Sequence, residues 1–314
     1  MPPDPQAARR ATPHVALNPH TAAPGITRFT VPLAIDSPDH LHVHMLQTPD
    51  GPLLIDCGAR GSEDALDAGL ATLDARPSRV LITHGHIDHW GIATTLTDRV
   101  LAHPGTLSSL RFASHGPPAR RPAGWPNTRE LARAFGGFSE LIAGVPEIDP
   151  IHDGDRLGDW EVLWTPGHDP GHICLYRASD GILLCGDLLL PGYTPNIQPA
   201  LDGSDALDQF LTSLDRIAAL PITLVLPAHG PPYSDAGRRA NELKVHHIKR
   251  LDTLRHALRG GPRTLAELTT VTFTADHSQP ADKMLAHMET YAHLEHLRQQ
   301  RQANVDEHGT WSLT

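Results

Sequence analysis

The sequence predicts an α/β protein: two packed mixed sheets with helices outside them, then a smaller helical module. Three observations carry that expectation. Short apolar runs such as Val80-Leu81-Ile82 read as buried strands and alternate with stretches of helical period. This strand-and-helix order occurs twice, which suits two sheets packed face to face. The texture then changes after Pro232, where helical periodicity dominates. At 314 residues the chain is also too long for one ordinary core.

Ile26–Ala34, Leu41–Gln47 and Pro52–Ile55 read as successive strands, with Asp50-Gly51 as a hairpin turn. His42 and His44 share the polar side of the second strand, a solvated or satisfied strand face. The third strand ends in Asp56-Cys57-Gly58. A helix over Ser62–Asp74 follows, with Leu66, Leu70 and Leu73 as its apolar stripe. Strand Arg79–Thr83 leads into Thr83-His84-Gly85-His86-Ile87-Asp88-His89-Trp90-Gly91. An insert over about 104–150 contains a Pro-, Gly- and Arg-rich loop (His115–Pro126) and a helix capped by Asn127. Trp125, Phe135 and Phe138 are its aromatics, and it reads as a lid or pocket wall, or as core packing under the loop.

Strands return at Ile151–His152, Trp160–Trp164, Ile173–Arg177 and Ile182–Cys185. A helix over Asp205–Ala219 and a strand over Ile222–Leu226 close this half. The domain boundary falls near residue 235. Beyond it, Asp235–Arg259 reads as a long helix with Leu243, Ile248, Leu251, Leu254 and Leu258 inward. Thr264 caps a short helix, Asp282–Gln300 forms another, and Val305–Leu313 forms a hairpin. Residues 1–20 read as a disordered leader on a cytoplasmic protein, because no apolar core follows Arg9-Arg10.

Composition narrows the function. Hydrophobic content of 39%, charged content of 20% and no long apolar run describe a soluble globular chain without a membrane span. Three scattered cysteines imply no disulfide framework. A formal charge of −10 argues against a protein built to grip phosphate backbones.

Spacing is more informative than the count of 22 histidines. His84, His86, Asp88 and His89 fall within six positions on a loop after a strand, where α/β proteins place their chemistry. His84 and His86 can clasp one ion, and Asp88 and His89 can turn toward a second. Such donors suit zinc, with iron or manganese as alternatives. His168, Asp187 and His229 each follow another strand directly, which would gather them at the same sheet edge.

The ordered set His-x-His-x-Asp-His, His, Asp, His resembles the metallo-β-lactamase superfamily over roughly Ile26–Tyr233. That resemblance implies an αββα sandwich and a dinuclear site. His84, His86 and His168 would hold one metal, Asp88, His89 and His229 the other, and Asp187 would bridge them. It also makes His172 and Asp56 supporting residues and Asp88 an orienter of the attacking water. The classical β-lactam-hydrolysing members usually place a cysteine where this chain has Asp187, which lowers the antibiotic reading. Flavodiiron members replace the second histidine by an acid, whereas His86 is present.

The expected function is hydrolysis of a small ester, thioester or lactone by a hydroxide held between two zinc ions. Tyr193 and Asn196, just beyond Asp187, are candidate substrate contacts. The C-terminal segment, residues 235–314, resembles the winged-helix tail of β-lactamase-like proteins that include an endoribonuclease, best in the helix carrying Tyr291–Leu297, so RNA cleavage is the alternative. Yet residues 241–314 carry nine Lys and Arg against nine Asp and Glu, and a nucleic-acid reader should be basic there. The tail therefore reads as packing, dimerisation or pocket closure. A mononuclear iron enzyme resembling persulfide dioxygenases is the third reading.

Overall fold

The computed structural model describes residues 19–35, 38–73, 76–115, 138–273 and 280–314. The helix and aromatic residues expected within 116–137, and most of the expected leader, lie outside these residues.

The chain opens with an antiparallel run: β1 (His20–Ala23), β2 (Ile26–Pro32), β3 (His40–Thr48) and β4 (Gly51–Ile55). Helix α1 (Glu63–Ala71) crosses over to β5 (Arg79–Leu81), which is parallel to β4. The short helices α2 (Ile87–Trp90) and α3 (Ala93–Leu96) lead to β6 (Arg99–Ala102). Helix α4 (Thr106–His115) and a 3-10 turn (Phe138–Leu141) precede β7 (Glu147–Pro150). These seven strands form one sheet in sequential order, its second half parallel.

A second, five-stranded sheet follows: β8 (Arg156–Leu157), β9 (Trp160–Trp164), β10 (Ile173–Arg177), β11 (Ile182–Leu184) and, after α5 (Ala206–Ala218), β12 (Leu224–Leu226). The tail comprises α6 (Ala236–Arg259), β13 (Arg263–Thr264), α7 (Leu265–Thr272), α8 (Pro280–Gln299), β14 (Ala303–Val305) and β15 (Thr310–Leu313). Its three strands pair in the order β13-β15-β14.

Strand alternation decides which side chains enter which layer. On β4, Leu53 and Ile55 pack between the sheets against Val162, Ile173 and Leu184, while Leu54 joins the outer layer with Leu66 and Leu70 of α1. The outer face of the second sheet is covered by Phe210 and Leu214 of α5, and the same apolar cluster continues into Leu243, Leu254, Leu294 and Trp311 of the tail. The result is the expected helix–sheet–sheet–helix order, with a tail that shares the core of the second half. Caps fix the helix starts: Asp205 and Asp235 each accept an N–H three residues on at 3.0 Å, and Thr264 forms a capping box with Glu267.

Ile248, expected inward, is 47% exposed, whereas its neighbour His247 is fully buried. The strand expected at Ile151–His152 lies earlier, at Glu147–Pro150. Of the two readings of the His42 and His44 face, solvation does not hold: both are buried, with Thr30 Oγ1 2.9 Å from His42 Nδ1. No helix among the described residues is long and apolar enough to cross a membrane.

Candidate metal centre

Strand direction explains why distant residues meet. β9 and β11 are both antiparallel to β10 and so run the same way, and β12 is parallel to β11. The residues after β9, β11 and β12 therefore emerge at one edge, as do those after the parallel β4 and β5. His168, Asp187 and His229 follow the first three strands, and Asp56 and the His84–His89 loop follow the other two.

Two clusters form there. His84, His86, His168 and Asp187 place one donor atom each within 4.8 Å of one another, and so do Asp88, His89 and His229. His84 and His168 approach at 3.2 Å between their Nε2 atoms. Asp187 ties the groups together: its Oδ2 lies 3.7 Å from His168 Nε2, and its Oδ1 lies 3.6 Å from His89 Nε2 and 3.5 Å from His229 Nε2. Asp88 Oδ2 sits 3.2 Å from His229 Nε2.

The other ring nitrogen of His84, His89, His168 and His229 reveals why Nε2 points inward. Carbonyl and carboxylate oxygens only accept, so Nδ1 must carry the proton where it meets one. His168 Nδ1 donates to the Asn196 carbonyl at 2.7 Å, His229 Nδ1 to the His40 carbonyl at 2.7 Å, and His89 Nδ1 to Asp56 Oδ2 at 2.9 Å. Thr83 gives its hydroxyl proton to Asp56 at 2.9 Å, so it can accept from His84 Nδ1 at 3.1 Å. Such anchoring by a second layer of groups fixes the tautomer a metal needs.

Burial and crowding by His89, His86 and His168 hold the His84 imidazole well below its ordinary pKa. Burial and His168 bring His86 down to about 3. Burial opposes charge on His89 and His229 too, but the surrounding carboxylates outweigh it and raise both. Burial disfavours the Asp88 carboxylate, yet His89 and His229 pull its pKa down to about 2. Carboxylate oxygens and imidazole nitrogens thus converge on two points. His89 Nε2, His229 Nε2 and Asp187 Oδ1 are buried and make no hydrogen bond within the protein. Orphaned buried donor atoms of this kind fit a divalent ion, the species that satisfies them without adding a proton.

The two expected supporting residues occupy distinct places. Asp56 adopts a left-handed backbone (φ 60°), uncommon for a residue other than glycine. Its carboxylate is 2% exposed and accepts from the Thr83 N–H at 2.7 Å as well as from Thr83 Oγ1 and His89. Strain at such a position costs about 1–3 kcal/mol and persists where the surroundings enforce it. His172 accepts the Asp187 N–H on Nε2 at 3.1 Å and therefore donates from Nδ1 to Thr165 Oγ1 at 2.8 Å. Both nitrogens are committed, so His172 orients Asp187 and binds no ion. The loop between β9 and β10 must also pass close to its neighbours: Gly167 has φ +127°, and a Cβ there would lie 2.3 Å from the Phe210 nitrogen. Asp56→Ala would leave His89 and Thr83 without their common acceptor. Metal affinity should fall about 10–100-fold, read by chelator competition, with circular dichroism reporting that the fold survives.

Beside the centre lies a cavity of about 420 Å³. Tyr193 lines it with 44% of its surface exposed. Burial first, then the charges of Asp187 and Asp88, raise its phenol pKa, so the hydroxyl stays a donor. Asn196 also lines the cavity, but its side-chain amide is turned away: Nδ2 donates to Glu289 Oε2 at 2.9 Å and to the Leu285 carbonyl at 3.2 Å. Glu289, held by an ion pair with Arg250, thereby links α8 to the residue whose carbonyl orients His168. Asn196 thus acts as a tether more than as the expected substrate contact. Sequence reasoning missed this link, and also Thr83, although Thr83 directly precedes His84. A third group, His246, His247 and Glu289, lies between α6 and α8, but its carboxylate is already taken by Arg250 and Asn196.

Comparison with known proteins agrees with the geometry. Over its full fold the chain is similar to a crystal structure of a beta-lactamase domain protein from Burkholderia ambifaria: TM-score 0.83, 25% identity, 98% of this chain and 97% of that one. It is 26% identical over 272 residues to the probable metallo-hydrolase YqjP of Bacillus subtilis, covering 78% of this chain and 84% of that protein. It is 30% identical over 215 residues to a hydroxyacylglutathione hydrolase of Aeromonas hydrophila, covering 64% of each. The family model described as the metallo-beta-lactamase superfamily matches residues 38–229, which include every residue of both donor clusters. The chain belongs to the metallo-β-lactamase superfamily and is a metal-dependent hydrolase.

Proposed function

We propose that this hydrolase uses two metal ions, zinc in the first instance, to cleave a small ester, thioester or lactone. The observation that carries the proposal is the convergence of seven donors in two groups beside a small-molecule-sized cavity. His84, His86 and His168 would hold one ion, Asp88, His89 and His229 the other, and Asp187 would serve both. Ions held there supply a hydroxide near neutral pH and polarise the scissile carbonyl.

The protein's own part is positioning and proton handling. Asp88, ionised and partly exposed at the cavity, can orient the attacking water by accepting its hydrogen bond. Asp56, Thr83 and the carbonyls of Asn196 and His40 keep the imidazoles aimed inward. Tyr193, protonated and open to the cavity, is placed to donate to the substrate oxygen that gains charge. Tyr193→Phe should lower kcat about tenfold or more while metal content, measured by elemental analysis, stays at the wild-type level.

The complete second donor group favours two ions over the single iron of the persulfide-dioxygenase reading. The balanced charge of the tail weighs against the ribonuclease reading. The relative named as a hydroxyacylglutathione hydrolase supports thioester chemistry. The proposal extends to a cytoplasmic enzyme acting on a diffusible substrate, with the winged-helix-like tail packed on the catalytic part. A panel of thioesters, lactones, phosphodiesters and single-stranded RNA, assayed with zinc, manganese and iron in turn, tests it. Turnover of RNA or phosphodiesters alone would overturn the carbonyl-substrate assignment, and oxygen consumption with one iron per chain would overturn the hydrolytic one.

A further inference from the structure

The cavity beside the metal centre is built from both halves of the chain, and its wall is mainly apolar. Leu33 and Ile35 come from the segment after β2, Phe112 from α4, Leu190 from the stretch after β11, and Leu285 and Met288 from α8. No lysine or arginine stands among the described residues that line it. The lining carboxylates apart from Asp88 and Asp187 are those of Asp169, which is buried, and Asp282. A volume of about 420 Å³ lies within the range of about 300–1,000 Å³ typical of small-molecule sites.

These features select among substrates. A glutathione thioester carries two carboxylates, and an RNA strand carries a phosphate at every step. Such anions need cationic partners when they leave water, and the described wall offers no lysine or arginine, only hydrocarbon, carboxylates, the histidines of the centre and neutral polar groups such as Ser108, Gln198 and Tyr193. An uncharged aliphatic group loses nothing there and gains by leaving water.

We infer that the substrate of this hydrolase carries an uncharged apolar acyl chain, and that Leu285 and Met288 of α8 form the tail's share of the pocket that receives it. The inference rests on the carbonyl-hydrolase reading above. The tail thus acts as a wall of the binding pocket, setting which acyl chains reach the metal centre. Glu289, one residue beyond Met288, bonds Asn196 and so holds this stretch of helix against the loop that carries the His168 anchor.

The test is a series of acyl thioesters from acetyl to decanoyl on one neutral thiol, with S-lactoylglutathione alongside, using the full-length metal-loaded enzyme. Each added methylene that the cavity accepts should raise kcat/KM about fourfold, until the pocket is full. Met288→Trp should narrow the pocket and reduce the ratio of octanoyl to acetyl turnover at least tenfold. A second readout does not depend on turnover: calorimetric binding of decanamide to chelator-stripped protein should be tighter than binding of butanamide in the wild type, and Met288→Trp should narrow that difference. Flat chain-length dependence, a preference for S-lactoylglutathione, or an unchanged ratio in Met288→Trp would overturn the inference while leaving the hydrolase reading in place. Failure of every carbonyl substrate with the metals bound would instead strike the hydrolase reading itself.

Discussion

His84→Ala combined with His86→Ala should strip the protein of the ion held by the first donor group and reduce hydrolysis at least a thousandfold. The two imidazoles supply half of that group, and the remaining pair, His168 and Asp187, lies at 3.7 Å with His168 anchored to the Asn196 carbonyl. Two donors are too few for a tight divalent site, which takes three or four protein ligands. A bound ion contributes several kcal/mol to the stabilisation of charge in the transition state. A loss of about 4 kcal/mol corresponds to a thousandfold in rate. Elemental analysis reads the metal and steady-state kinetics reads the rate. Wild-type metal content with wild-type hydrolysis would refute the assignment of this centre. The variant should fold, because neither side chain belongs to the apolar clusters: His86 lines the cavity, and His84, though buried, sits among the polar groups of the centre.

The largest effect on stability is expected from Trp311→Ala. Trp311 on β15 is fully buried, with its ring edge-on to Tyr291 of α8 at 5.8 Å. It belongs to the cluster that also contains Leu163 of β9 and Phe210 of α5. Removing a buried tryptophan side chain costs about 3–5 kcal/mol, equivalent to roughly 5–15 °C in Tm for a chain of this size class. Because the apolar layer is shared, activity and tail structure should be lost in the same thermal transition. Calorimetry checks this. A separate low-temperature transition that leaves hydrolysis intact would show instead that the tail has its own core.

Much of the centre was legible in the chain because its chemistry is concentrated. His84, His86, Asp88 and His89 lie within six positions, and His168, Asp187 and His229 each sit just after an apolar run short enough to read as a strand. The layer order was legible for a similar reason: on strands such as β4, alternate residues enter different apolar layers, so the period of the sequence maps onto the sheets. Less was legible in the tail. The apolar stripe of α6 placed Ile248 inward, but packing against α8 turns that position outward and buries His247, which lies 3.1 Å from His293 Nε2. A helical stripe defines a face; the neighbour that covers it decides where the edge of that face falls.

Asn196 draws the division most clearly. Its place after Asp187 marked it as near the site, and that much is a matter of chain order. Which way its amide points depends on Glu289, 93 residues later, and on the Arg250 pair that holds Glu289. The sequence by itself determined the donor set, the strand ends that present it and the layers beneath it, because these follow from local spacing and period. Only the tertiary structure decided which tautomers the histidines take, which groups hold His172 on its two nitrogens, and that α8 forms a wall of the cavity. Those outcomes rest on hydrogen bonds and packing between residues far apart in the chain, which no local pattern encodes.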